Sequence, residues 1–353
     1  MAGITYKCPN CGAYLTFDPE TQQWKCPFCS SAFSEAELKG KAEAFQKEAD
    51  KEAEKQAEQA SGAQVVYHCP SCGSEIMTDE TTVATHCYYC HSPVVLQGKL
   101  TADMKPDEVL PFTIGREKAI EEISEWIRTR KFVPKKFFSK AQIQEMSGVY
   151  YPHFVSECQT EGVLDGEATT SDVFDEGKYV VTNTRHYHVR REGRFVFKDI
   201  LRPALSKANR KLTEGVHPFP LENAKPFSGA FLSGFLAERR DLESDSYRQE
   251  IEQELQGYMN SMLRDTASQY QTCSAGTTAA VKKVKTKYVL LPTWVLTYPN
   301  KKNKDEPYYY VMNGCTGQVC GKLPVDMGRL WRHGLLAGLI VAALCCVLAY
   351  FLF

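Results

Sequence analysis

The chain lacks an excess of either charge: 42 lysines and arginines stand against 43 aspartates and glutamates, a formal net charge of −1 over 353 residues. That excludes binding to a polyanion through overall charge, although a local basic patch is still allowed. It also lacks the short motifs of common enzymes. There is no GxGxxG after a strand-like run, no P-loop GxxxxGK[ST], no GxSxG and no HExxH. The start, MAGITYKCPN, has no signal-peptide apolar region, which argues against a secreted disulfide scaffold. A mean hydropathy of −0.36 excludes a polytopic membrane protein and leaves room for one span. With 43% apolar and 24% charged residues the chain is not of disordered composition.

What the chain has instead is cysteine. Eight of its 14 cysteines form four CxxC pairs: Cys8 and Cys11, Cys26 and Cys29, Cys69 and Cys72, Cys87 and Cys90. Within each half, 14 residues separate the two pairs, and the halves repeat at an offset of 61 that also aligns Tyr6 with Tyr67, Pro9 with Pro70, Gly12 with Gly73 and Asp18 with Asp79. Two thiolates on a tight turn hold half of a tetrahedral shell, and a second turn brought alongside by a hairpin completes it. The spacing therefore predicts two zinc ribbons with two Zn ions, at residues 1–33 and 64–100. A redox dithiol is the competing reading, but it uses one pair beside a βαβ pattern rather than four at ribbon spacing. Lys7, Lys25, His68 and His86 precede the pairs and offer positive charge to an anionic tetrathiolate. Of the aromatics Trp24, Phe28, Tyr88 and Tyr89, a small core over the metal is the expected role.

Charge counting points the ribbons away from phosphate. Residues 1–33 carry Lys7 and Lys25 against Asp18 and Glu20; residues 64–100 carry Lys99 against Glu75, Asp79 and Glu80. Each zinc tetrathiolate would add two negative charges, so both units are anionic and nucleic acid is a disfavoured partner.

Residues 34–63, opened by the Ser34–Glu37 capping pattern and ended by Ser61-Gly62, read as a charged helical linker with 13 charges in residues 35–60. Residues 101–328 read as a mixed α+β domain. Helices are expected at Arg116 to Arg130 (Ile120, Ile123, Trp126 and Ile127 on one face) and about Ser246 to Tyr270 (Ile251, Leu255, Tyr258, Met262 and Leu263). Strands are expected at Val149 to Ser156, Tyr179 to Val189, Arg194 to Asp199, Tyr288 to Thr297 and Tyr308 to Met312. VYYPHFV at 149–155 and VLLPTWV at 289–295 look like equivalent edge strands of a pseudo-repeat, each broken by proline. His186 and His188 with Arg185, Arg190, Arg191 and Arg194 suggest a cationic face, for which a solvated sheet surface is the simpler account. Cys315 and Cys320 flank an NGCTG turn and lack further ligands for a third site.

From Gly334 to Phe353 the chain runs 20 residues without a charge, enough for about 30 Å of helix. Arg329, Trp331, Arg332 and His333 flank it, and residues 329–353 read as a tail anchor that leaves the bulk in the cytoplasm. Gly334, Gly338 and Ala342 form a small-xxx-small face of the kind that associates helices. Cys345 and Cys346 lie within the span.

YKCPNCGAYLTFDPETQQWKCPFC, YHCPSCGSEIMTDETTVATHCYYC, VLPF, GVYYPHFV, KPFSGAFLSGFLAE, YVLLPTWVLTY, VMNGCTGQVCGKLP and the terminal span together resemble a family of bacterial membrane proteins with TFIIB-type zinc ribbons, whose members are often labelled primosomal helicase-like. The resemblance covers nearly the whole chain; the absent P-loop does not support helicase work. It implies zinc on the eight paired cysteines. It also implies association with phage-shock-type and SPFH-type membrane-stress partners. Ser30, His91, Cys315 and Cys320 depart from the commoner pattern. The resulting expectation is a non-enzymatic, membrane-anchored adaptor recruiting cytoplasmic proteins, with a membrane-tethered nucleic-acid binder as the alternative and a hydrolase in the middle domain as a third reading.

Overall fold

The structure, a computed structural model, describes residues 5–38, 65–87, 90–96, 104–133, 146–298, 308–321, 323 and 325–352. The architecture is α+β and dominated by one large sheet. The strands in chain order are β1 (Thr16–Asp18), β2 (Gln23–Lys25), β3 (Ala32–Phe33), β4 (Val65–His68), β5 (Glu75–Thr78), β6 (Thr82–His86), β7 (Pro93–Val95) and β8 (Glu108–Val109). They continue as β9 (Ser147–Glu176), β10 (Tyr179–Pro203), β11 (Lys225–Pro226), β12 (Leu236–Glu238), β13 (Thr272–Tyr298), β14 (Tyr308–Asn313) and β15 (Val319–Gly321). The helices are α1 (Arg116–Arg128), α2 (Arg210–Glu214), α3 (Arg248–Asp265) and α4 (Met327–Leu352). Of the expected linker helix only Glu35–Leu38 falls within the described residues; there the Ser34 amide and hydroxyl both donate to Glu37 Oε2 at 2.7 Å.

Three strands are far longer than the sequence pattern suggests: β9 has 30 residues, β10 has 25 and β13 has 27. They run side by side as a blade, β10–β9–β13, antiparallel throughout. α3 lies on one face of it. Ile251, Leu255, Met259 and Leu263, a strict i, i+4 stripe, are buried; Ile251 and Leu255 cluster with Cys158, and Leu263 with Leu164, Ala168, Val189 and Ala275. Tyr258 and Met262, expected on that stripe, are off it and exposed. The opposite face is wet, and its charges cancel: Arg190 pairs with Asp165, Arg194 with Glu161, and His188 approaches Asp165. The simpler account, a solvated sheet surface, is the one observed: acids on β9, which the sequence could not place beside these cations, pair with Arg190 and Arg194.

The two proline segments are neighbours, not edges. Pro152 lies opposite Leu290 and Pro292 opposite Tyr150. β9 pairs with β12 at Val149 and Tyr150 and with β10 from His153, while β13 pairs with β8 at Val289 and Leu290 and with β14 from Thr293. Each proline therefore sits where its strand changes partner and no ladder bond needs its missing N–H. Each carbonyl is used: Ala204 donates to Pro152 O and Gly314 to Pro292 O, both at 2.9 Å. The parallel partners are equivalent too, β12 beside β9 and β8 beside β13. Tyr151 faces Leu291, residues that correspond in the two segments, so a pseudo-twofold relates them. The core lies at this base, where Phe112, Tyr150, Phe235 and Trp294 stack together.

Candidate metal centres

Four knuckles of one geometry carry the eight cysteines. In each, the first cysteine's carbonyl accepts from the amide four residues on: Gly12 to Cys8, Ser30 to Cys26, Gly73 to Cys69 and His91 to Cys87, at 2.8–2.9 Å. In each, the same cysteine's amide donates to the carbonyl five residues on, Ala13, Ser31, Ser74 and Ser92. The fourth residue must adopt a left-handed backbone, with φ of 75° at Gly12 and Gly73 and 57° at Ser30 and His91. Glycine takes that conformation freely, and Ser30 and His91 take it at some cost. Their departure from glycine leaves the knuckle intact.

The turns bring the sulfurs into two groups of four, Cys8/Cys11/Cys26/Cys29 and Cys69/Cys72/Cys87/Cys90, with all ligand atoms of a group within 4.8 Å of one another. Cys8 and Cys29 Sγ are 3.6 Å apart and Cys11 and Cys26 3.5 Å; Cys69 and Cys90 are 3.6 Å apart and Cys72 and Cys87 3.7 Å. A tetrahedral ion with bonds of about 2.3 Å would set its sulfurs about 3.8 Å apart, so the donor set fits a tetrathiolate metal site. Cys315 and Cys320 join no such group among the described residues; Cys315 Sγ donates to Pro111 O at 3.3 Å.

Protonation reports the same crowding. The Ser31 hydroxyl and amide pull the Cys29 thiol down to about 6, and Ser74 does the same for Cys72. Burial pushes Cys69 up to about 12, and at Cys11 the thiols of Cys26 and Cys29 outweigh the lowering Ala13 amide and push it up to about 12. Four thiols this close cannot all ionise without a cation among them.

The hydroxyls are a feature the sequence reading passed over. Ser31 Oγ lies 3.2 Å from Cys29 Sγ, Ser74 Oγ 3.2 Å from Cys72 and Ser92 Oγ 3.3 Å from Cys90, each placed to donate to a thiolate. A serine two residues past the second cysteine of a pair was the available signal; only the first knuckle, with Ala13, lacks it. Two of the four cations expected in this role are engaged otherwise: Lys25 pairs with Asp18, and burial lowers His86 away from its charged form. Of the four aromatics, Trp24 is buried while Phe28, edge-on to Tyr14 at 5.4 Å, is 68% exposed; Tyr88 and Tyr89 lie outside the described residues.

The two units meet the rest of the chain differently. In the first, β1–β2–β3 form a sheet of their own, and Phe17 and Trp24 pack on Phe231. Trp24 Nε1 donates to Ala230 O at 2.8 Å and Phe17 N to Ser233 O at 3.0 Å. In the second, β4 and β5 pair alone, while β6 and β7 join the large sheet through β12, with Ala84 opposite Ala237 and Thr82 opposite Glu238. Thr5 Oγ1 links the units by donating to Pro93 O at 3.0 Å.

α4 is long and apolar enough over Met327–Cys346 to cross a membrane by length and composition, and none of that window is buried. A chain of this class, α+β with two four-cysteine groups and one such helix, has a relative among curated proteins. It is 28% identical over 342 residues, 96% of each chain, to a Bacillus subtilis (strain 168) protein described as uncharacterized, YdjG. No family model matches the chain, and no solved structure matches it significantly.

Proposed function

We propose that both four-cysteine groups are structural zinc sites and that α4 anchors the chain in a membrane, with the remaining residues in the cytoplasm. In this reading the protein is a non-enzymatic adaptor that presents zinc ribbons and the blade to cytoplasmic or membrane-associated proteins, of the membrane-stress class that the family resemblance implies. The observation that carries it is the closed donor set: four thiols per group, all within 4.8 Å of one another, fill a tetrahedral shell and leave no position for a substrate or an activated water. Charge cancellation along the blade and the Lys25–Asp18 pair favour protein over nucleic acid as the partner. Metal analysis of the full chain in detergent is expected to return two equivalents of zinc; fewer than one sinks the ribbon reading. Alkaline extraction is expected to leave the chain in membranes. Binding to DNA or RNA that weakens steeply with salt would count against the adaptor.

A further inference from the structure

Two segments almost 200 residues apart in sequence meet where α4 begins. Past the end of α1, Phe132 O accepts from Asp326 N at 2.7 Å and Val133 O from Arg329 Nη1 at 3.4 Å, and the Phe132 ring stands edge-on to His333 at 5.5 Å. The chain just before this clamp carries Arg128, Arg130 and Lys131, all exposed. The nearest acid on that helix is Glu125, about one turn back. Arg130 stacks on Trp126 at 5.0 Å, which holds its guanidinium outward without neutralising it. Arg332 is exposed on α4. Among the described residues none of these four cations is paired with a carboxylate, whereas Arg185, Arg190 and Arg194 on the blade each have one. In sequence the basic run continues with Lys135, Lys136 and Lys140, which lie outside the described residues.

We infer that Arg128, Arg130 and Lys131 form, with Arg332, a platform for the anionic phospholipid headgroups of the leaflet that α4 enters. The inference rests on α4 being a membrane span. The clamp on Asp326, Arg329 and His333 fixes the end of α1 at the level of the helix's first turns, where headgroups lie. Cations near an anionic surface attract it additively, and four or more beside a span are enough to select lipid. The role of the contact is to fix the orientation of the α+β body on the membrane, which a single helix leaves free to swivel.

The test uses the full chain reconstituted in mixed phosphatidylcholine and phosphatidylglycerol vesicles, with spin-labelled lipids reporting which headgroup the protein retains. Wild type is expected to prefer labelled phosphatidylglycerol, and the triple variant Arg128→Gln, Arg130→Gln, Lys131→Gln to lose roughly threefold or more of that preference. High salt should lower the wild-type preference toward that of the variant. An unchanged preference in the variant overturns the platform. Extraction of wild type by alkali would instead overturn the span, a separate result, and two equivalents of zinc in the variant establish that its ribbons are folded.

Discussion

The two cysteine units share sequence, spacing and knuckle geometry, yet they are supported differently. The pairing of β2 with β3 recurs at the same register in β6 and β7: Trp24 faces Phe33 as Thr85 faces Val94, and Lys25 faces Ala32 as His86 faces Pro93. What differs is the other edge. β2 gives it to β1 from its own unit, while β6 gives it to β12 from the large sheet. The first unit, closed as a sheet, attaches mainly by side chains, with Trp24 as the plug and a single backbone bond from Phe17 N to Ser233 O beside it. The second attaches by backbone, so its equivalent residue is Thr85 and its own core is the small cluster of Tyr67, Ile76, Val94 and Leu96. A local repeat thus fixes the geometry of the four-cysteine group but not the way a unit is mounted.

The largest way to break this comparison is to remove a ligand from each unit. Structural zinc supplies about 10 kcal/mol of apparent folding free energy to a ribbon. Cys11→Ser and Cys72→Ser are each expected to lower zinc from two equivalents to one. Hydrogen exchange should then differ. Loss of the first site exposes Phe17, Trp24 and the Phe231 region of the base, whereas loss of the second frees β4 and β5 and leaves β6 held by β12. Identical exchange maps would show that mounting is irrelevant.

Trp24→Ala tests the plug directly. It removes a buried ring and its hydrogen bond to Ala230 O, so a cost of about 3–5 kcal/mol is expected, read as a lower denaturant midpoint. Thr85→Ala is expected to cost about 1 kcal/mol or less, as loss of a small side chain from a backbone-mounted strand. Comparable losses would refute the contrast.

Both units lean on the base of the large sheet, where His153 is fully enclosed. Burial lowers its pKa from 6.5 to about 4, with the Tyr151 carbonyl opposing and His217 assisting. The unfolded chain therefore binds a proton near pH 6.5 that the folded chain refuses until about 4. Stability from this group is full above pH 6.5 and is lost as pH falls toward 4, by about 3 kcal/mol at most. Unfolding measured at pH 7 and 5 should show a smaller drop in His153→Gln than in wild type. Because any acid release of metal from the cysteine groups would be common to both proteins, only the difference between them bears on His153. Equal drops would remove His153 as the acid-sensitive group.

Much of this was legible in the sequence, for identifiable reasons. Metal ligands must sit at fixed intervals on a tight turn, so CxxC spacing survives translation into geometry, and an uncharged run of 20 residues can be read without knowing its neighbours. Strand length was not legible. Charged and glycine-bearing stretches such as Arg190 to Arg194 look like strand ends, but in a blade covered on one face only they continue the strand with their polar side chains in water. The prolines misled for a related reason. Pro152 and Pro292 mark places without a ladder bond, and sequence does not distinguish an outer edge from a gap between two partners. The serine hydroxyls were visible as residues and not as donors, because their value depends on the knuckle fold beneath them.

The smallest expected effect concerns those hydroxyls, and it separates the two units by one atom. Ser31, Ser74 and Ser92 stand beside the sulfurs of Cys29, Cys72 and Cys90, and Ala13 leaves Cys11 without a hydroxyl neighbour of this kind. The equivalent position in the second unit is Ser74, so the exchange Ala13→Ser and Ser74→Ala transfers a donor from one centre to the other. Loss of an outer hydrogen bond to a ligand weakens metal affinity by about tenfold, or about 1.4 kcal/mol. In competition with a chelator, wild type should therefore release the first ion before the second, and the double exchange should bring the two release steps together or reverse them. The Ala13 carbonyl accepts from Cys8 N through backbone alone, so the added hydroxyl need not disturb the knuckle. If the order of release stays as in wild type, the hydroxyls are bystanders and the difference between the centres lies wholly in how each unit is mounted.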